Sequence, residues 1–311
     1  MEVEASQPKV RSERQLSVFV GKGVYTPFRS EVGGLNLASP IPVFVGIDVA
    51  CARRKRLPVC FAAFIGGRLE PMAIPADLSN EFPSGQGNVE ILKGAPFKGA
   101  AQLLVRALDH TANGQGWNLV RIAVDAPAAA PSMGERTSEK MLRTLGLSSF
   151  RTPDDEGWRQ LRQECRRHLR EGKTLSHLPH ANKIWMLYGF EIFEALRAAV
   201  TSEVIEVYPY AIVRALMPAC PHKSTLEGYS QQLNAIAAAT GWTPTELDRA
   251  LQHAVPGAKH DKLDAFMAAW VASLPKPRRR AYGNEGDLND AIWVPGAGKA
   301  PQPSLGMQRD G

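Results

Sequence analysis

The chain has 311 residues, 44% of them hydrophobic, enough to bury the core of one large domain or two modest ones. Its 37 basic and 31 acidic side chains leave a formal charge of +6, which is compatible with a polyanionic partner without requiring one. No apolar stretch approaches the roughly 18 residues of a membrane-spanning helix, and the N-terminal segment has no apolar signal-like core, so a soluble cytoplasmic protein with no membrane partner is expected. Cys51, Cys60, Cys165 and Cys220 form neither a CxxC pair nor a zinc-type Cys/His spacing, as expected of reduced thiols.

Residues 1–40 read as an extension with one short strand candidate at Leu16–Val20. Val43–Asp48 is a buried strand, apolar until it ends on a carboxylate. Pro58–Ile65 and Arg68–Ile74 flank the turn signal Gly66-Gly67, so a hairpin continues the first strand into an antiparallel meander. Ser79–Pro96 is rich in Gly, Pro and Asn and reads as a loop. Leu103, Leu104, Ala107 and Leu108 give Phe97–His110 a helical period, closed by Asn113-Gly114. Leu119–Val124 is a fourth strand running into Asp125; Pro127–Pro131 breaks the chain, and Glu135–Leu145 is a helix ended by Gly146.

Residues 147–183 read as an insertion whose helix carries Arg159, Arg162, Arg166 and Arg170 on one stripe. Lys183–Val200 is an amphipathic helix, and Glu203–Val207 a fifth strand followed by Tyr208-Pro209. Gly228–Thr240 and Thr243–His253 are helices, the second announced by Thr243-Pro244 with Glu246. His260–Leu274 is the last long helix, stopped by Pro275; Ala291–Val294 is a final edge strand. The expected product is a domain over 41–296 and a disordered tail over 297–311. Its fold class is α/β, with a mixed five-stranded sheet of three antiparallel strands followed by alternating helices and strands.

Asp48 and Asp125 both end apolar strands, an uneconomical place for a charge without a partner. Asp261 and Asp264, three apart on a helix, share a face and can point at one centre. Carboxylates brought that close repel and raise one another's pKa unless a cation neutralises them, and a hard divalent ion suits an all-oxygen set. Taken singly, each has a plainer role: Asp48 can cap a turn, Asp125 can form an Asx-turn, and Asp261 with Asp264 can bias a helix N-terminus.

The ordered strings VGIDVA, IAVDAP, VIEVYP and HDKLDAFMAA resemble the ribonuclease H-like superfamily, and more narrowly the domain of unknown function 429 family of predicted nucleases, over roughly residues 42–296. The last string also resembles the Holliday-junction resolvase branch. The resemblance implies a ribonuclease H-like fold, with Asp48 as the central metal-bridging carboxylate, Asp125 as a second ligand and Asp261 and Asp264 as last-helix ligands. Glu206, in the matching Glu-Val-Tyr-Pro element, becomes a further catalytic candidate. It also implies one or two Mg²⁺ or Mn²⁺ ions; two such ions about 3.5–4 Å apart can hold a phosphodiester, activate water and stabilise the leaving oxygen. Nucleic acid is the implied partner, and the junction-cutting relatives leave a homodimer open.

Arg53, Arg54 and Lys55, just after the first strand, are candidates for substrate phosphates, as are Arg162 and Arg166 in the arginine stripe. Lys223 stands where the resemblance places a lysine with an electrostatic role. Arg278–Arg280 reads as a solvated run or a phosphate contact, His260 as a helix-start residue or proton carrier, and Trp185, Trp242 and Trp270 as packing residues. Three functions compete: a metal-dependent nuclease, a nucleotide-binding phosphotransferase of the actin and sugar-kinase fold, and a catalytically inactive nucleic-acid-binding protein. The second class wants a Gly-rich phosphate loop in two duplicated halves, whereas Asp48 is followed by VAC and no second half is visible.

Overall fold

The computed structural model describes residues 39–49, 55–85, 87, 96–147, 151–223 and 225–296. The strand expected at Leu16–Val20, the tail at 297–311, and Arg53 and Arg54 lie outside the described residues.

The strands are β1 (Ile41–Asp48), β2 (Val59–Ile65), β3 (Arg68–Met72), β4 (Trp117–Asp125), β5 (Glu203–Val207), β6 (Arg279–Tyr282) and β7 (Ile292–Pro295). They form one mixed sheet in the order β3-β2-β1-β4-β5-β7-β6. β1, β4, β5 and β7 are parallel, and the meander β1-β2-β3 and the pair β6-β7 are antiparallel. The hairpin between β2 and β3 turns on Gly66 and Gly67, whose φ of 58° and 84° are left-handed conformations that glycine adopts without strain.

The sheet has seven strands rather than five: the strand expected at the edge around Ala291–Val294 joins it as β7 in the interior, and β6 forms the edge beyond it. Nothing in the sequence announced β6, whose RRAY is too short and too basic to read as a strand. Arg279 within it is 7% exposed, so Arg278–Arg280 is not simply a solvated run. Its guanidinium binds Glu203 at 2.8 Å and lies over the Trp293 ring, which turns a surface-type residue into a strand-pinning one.

The helices are α1 (Ala76–Ser79), α2 (Pro96–Gln115), α3 (Thr137–Thr144), α4 (Asp155–Arg170), α5 (Ala181–Ala199), α6 (Pro209–Leu216), α7 (Leu226–Thr240), α8 (Pro244–Ala254) and α9 (Lys259–Ser273). Helix α6 is unforeseen by the periodicity: Pro209 occupies its first position, where the missing N–H costs nothing. The signal at Thr243 holds as a full capping box with Glu246.

Strand alternation divides the core. Val43, Val45, Ile47, Ile122 and Val124 pack on α2 and α5, and the buried stripe Trp158, Leu161 and Cys165 of α4 joins this layer. Ala123, Ile205 and Val207 face the opposite layer, built by α6 to α9. Helices therefore cover both faces, and the parallel strands leave a crevice outside their C-terminal ends. Among the described residues, no helix is long and apolar enough to cross a membrane.

Candidate metal centre

Asp48 and Asp125 end neighbouring parallel strands and are register partners. A bulge sets that register. Val43 pairs with Leu119 but Phe44 pairs with Arg121, leaving Val120 as an extra residue in β4. Without it Asp48 would pair with Val124, and the two carboxylates would point to opposite faces of the sheet.

The third carboxylate arrives on α9. This helix crosses β1 so closely that a Cβ at Gly46 would stand 1.9 Å from the Ala265 carbonyl oxygen and 2.3 Å from the Ala269 nitrogen. Glycine in the strand and alanines on the helix permit the approach. Every residue of α9 from Lys262 to Ser273 is buried, because the sheet lies on one side and α6, α7 and α8 surround the rest.

As a result Asp48, Asp125 and Asp264 each place a carboxylate oxygen within 4.8 Å of the others. Asp264 is 1% exposed, while Asp48 and Asp125 are half-buried and look into a cavity of about 380 Å³. Burial holds the Asp48 pKa well above the ordinary carboxylate range, and repulsion from Asp125, Asp264 and Asp261 adds to it. Asp125 is raised in the same way, by burial first and Asp264 next. Asp264 is raised by burial, with Lys223 pulling the other way.

The Lys223 ammonium contacts Asp264 directly. Burial opposes its charge, but Asp264, Asp125 and Asp48 outweigh burial and raise its pKa. One lysine cannot neutralise three carboxylates. The donor set is all oxygen and retains net negative charge, so it can hold a hard metal ion. Asp261 lines the same cavity one turn earlier on α9, and its Oδ1 lies 3.0 Å from His260 Nε2.

The other expected residues are placed differently. Glu206 pairs in register with Val124, so alternation turns it toward the face opposite Asp125. There it accepts two bonds from buried Arg136, at 2.8 and 2.6 Å, and a third from the Ala128 N–H at 2.8 Å. It also lines the cavity wall. Lys55 is exposed, and its carbonyl accepts the Gly85 N–H. Arg162 and Arg166 line a second cavity with Trp158 and Phe190, not the carboxylate cavity.

Some residues around the site carried no sequence signal. Arg136, the N-cap of α3, lies behind the cavity and fixes Glu206. Trp185, expected as a packing residue, does pack partly buried against the core on the α2 and α5 side, and it also stands in the cavity wall together with Tyr208, Tyr210 and His222. For the two tyrosines the available signal was position, since they follow directly after the C-terminal end of β5.

No curated protein and no solved structure matches the chain. A family described as a protein of unknown function (DUF429) matches residues 83–281, which include Asp125, Glu206, Lys223, Asp261 and Asp264. The match spans more than half of the chain, which therefore belongs to the DUF429 family.

Proposed function

We propose that the protein is a metal-dependent nuclease with a ribonuclease H-like fold, hydrolysing phosphodiester bonds of nucleic acid at Asp48, Asp125 and Asp264. The observation that carries this reading is the 4.8 Å convergence of three carboxylates from two strand ends and a helix. The antiparallel meander feeding a parallel strand pair, with a last helix carrying Asp261 and Asp264, supports the fold assignment. Magnesium or manganese, if bound there, would supply Lewis-acid polarisation of a phosphoryl oxygen and would lower the pKa of an attacking water.

The chain's own residues have distinct parts. Asp48, Asp125 and Asp264 would hold the cation, and Asp261 adds a further carboxylate to the lining of the same cavity. Lys223 is a positioning residue, fixing the Asp264 carboxylate and balancing part of the cluster's charge. Glu206 acts through Arg136 and Ala128 to hold the segment after Asp125 in place. With three carboxylates against one lysine, a phosphodiester anion is repelled until a cation is bound, so activity must depend on the metal.

The test is hydrolysis of single-stranded, duplex, hybrid and branched nucleic acids with Mg²⁺ or Mn²⁺. Asp48→Asn is expected to cut the rate by more than the roughly 10–100-fold that loss of an outer-shell partner costs. Cleavage that survives either a chelator or this substitution contradicts the assignment.

A further inference from the structure

Asp48, Asp125 and Asp261 line a partly open cavity of about 380 Å³, together with Trp185 and Met186 from α5, Tyr208, Pro209 and Tyr210 from the turn after β5, and the polar side chains of Glu139, Glu206 and Gln232. Such a volume lies at the small end of ligand pockets, which run from about 300 to 1,000 Å³. That is room for one base with its sugar, and a base can enter only when it is out of the stack.

Both walls are built into the fold. Helix α5 presses on the chain just beyond β4 at Gly189, where a Cβ would stand 2.5 Å from the Ala126 Cβ. Trp185 lies four residues earlier, on the same face of the helix, and so is carried past the strand end into the cavity wall. The segment after β5 supplies another part of the lining. Tyr210 is fixed by edge contacts to Tyr208 and His222, with ring centroids 6.2 and 5.4 Å apart. Rigid rings of this kind are sequence-tolerant stacking platforms for a single nucleobase.

We infer that this cavity binds one nucleotide unit, as a free nucleotide or as an unpaired residue of a single strand, with its base against the Trp185 and Tyr208–Tyr210 walls and its phosphate at the carboxylate end. The inference rests on the nuclease reading of the carboxylates and adds the substrate class: unpaired nucleotides, not duplex.

The experiment compares AMP with ribose 5-phosphate by calorimetry in Ca²⁺, and a single-stranded oligonucleotide with its blunt duplex in Mn²⁺. AMP is expected to bind about tenfold more tightly than ribose 5-phosphate, a margin that Trp185→Ala removes and Trp185→Phe largely keeps. The single strand is expected to be cut at least about tenfold faster than the duplex, which must first be unstacked. AMP without a single-strand preference assigns the unit to a free nucleotide and overturns the strand form. Equal binding of AMP and ribose 5-phosphate, absence of binding by both, or a margin untouched by Trp185→Ala overturns the inference in the wild-type or variant protein alike. Hydrolysis of bis(p-nitrophenyl) phosphate, lost in Asp48→Asn, reads the metal site without any base. Its failure defeats the nuclease reading, whereas its survival with no base preference defeats the inference alone.

Discussion

Asp48, Asp125 and Asp264 cost the folded protein stability whenever all three are ionised, because burial and mutual repulsion raise their pKa values in the native state. The sign follows from proton linkage. A carboxylate with a raised native pKa favours the fold below its unfolded pKa of about 3.9, and that contribution is lost as pH rises through the native pKa. A bound cation competes with the same protons, so its stabilisation runs in the opposite direction. In chelator the melting temperature should therefore drift down as pH rises from about 5 to 8, and the upward shift produced by Mg²⁺ should grow over that window. Thermal melts at a series of pH values, with and without Mg²⁺, measure both trends; a Mg²⁺ shift that shrinks with rising pH contradicts carboxylate binding. Lys223 alone cannot produce this pattern, since its ammonium stays charged throughout the window.

Helix α9 and strand β1 act as one unit because each gives up side-chain volume to the other. Gly46 has no room for a Cβ, its would-be neighbours being α9 backbone atoms that cannot rotate aside. Gly46→Ala is therefore expected to destabilise the fold by about 1–3 kcal/mol or more, the usual cost of overpacking, and to weaken the Mg²⁺ shift by moving Asp264 from Asp48. Urea denaturation of the variant reads the first effect, and a change within about 0.5 kcal/mol would contradict the close approach. Helix α3 shows the same dependence on distant partners. Its own N-cap, Arg136, gives no side-chain capping bond; instead Asp290, 153 and 152 residues away, accepts the N–H groups of Thr137 at 3.1 Å and Ser138 at 2.9 Å.

At the scale of the molecule, α9 is enclosed by the sheet and three helices, so its amides can meet water only when the packing around them is lost. In hydrogen exchange, Leu263–Val271 should be the slowest segment, matching the global unfolding free energy, while α4 with its exposed arginine face opens earlier. Exchange of α9 at the rate of α4 would contradict this order. β1, β2, β4 and β5 were readable from short, mostly apolar segments, β3 from the Gly66-Gly67 turn before it, the last helix from its apolar stretch stopped by Pro275, and α8 from Thr243 with Glu246, contacts within four residues. Four candidate carboxylates were readable for the same local reason, as charges where apolar elements end. Sequence by itself thus determined a mixed α/β sheet and an acidic edge. Only the tertiary structure decided which carboxylates meet. The Val120 bulge puts Asp48 and Asp125 on one face, Gly46 admits Asp264 to it, and strand alternation sends Glu206 to the other face with Arg136. Register and close approach are properties of pairs of elements, so no single segment of the chain encodes them.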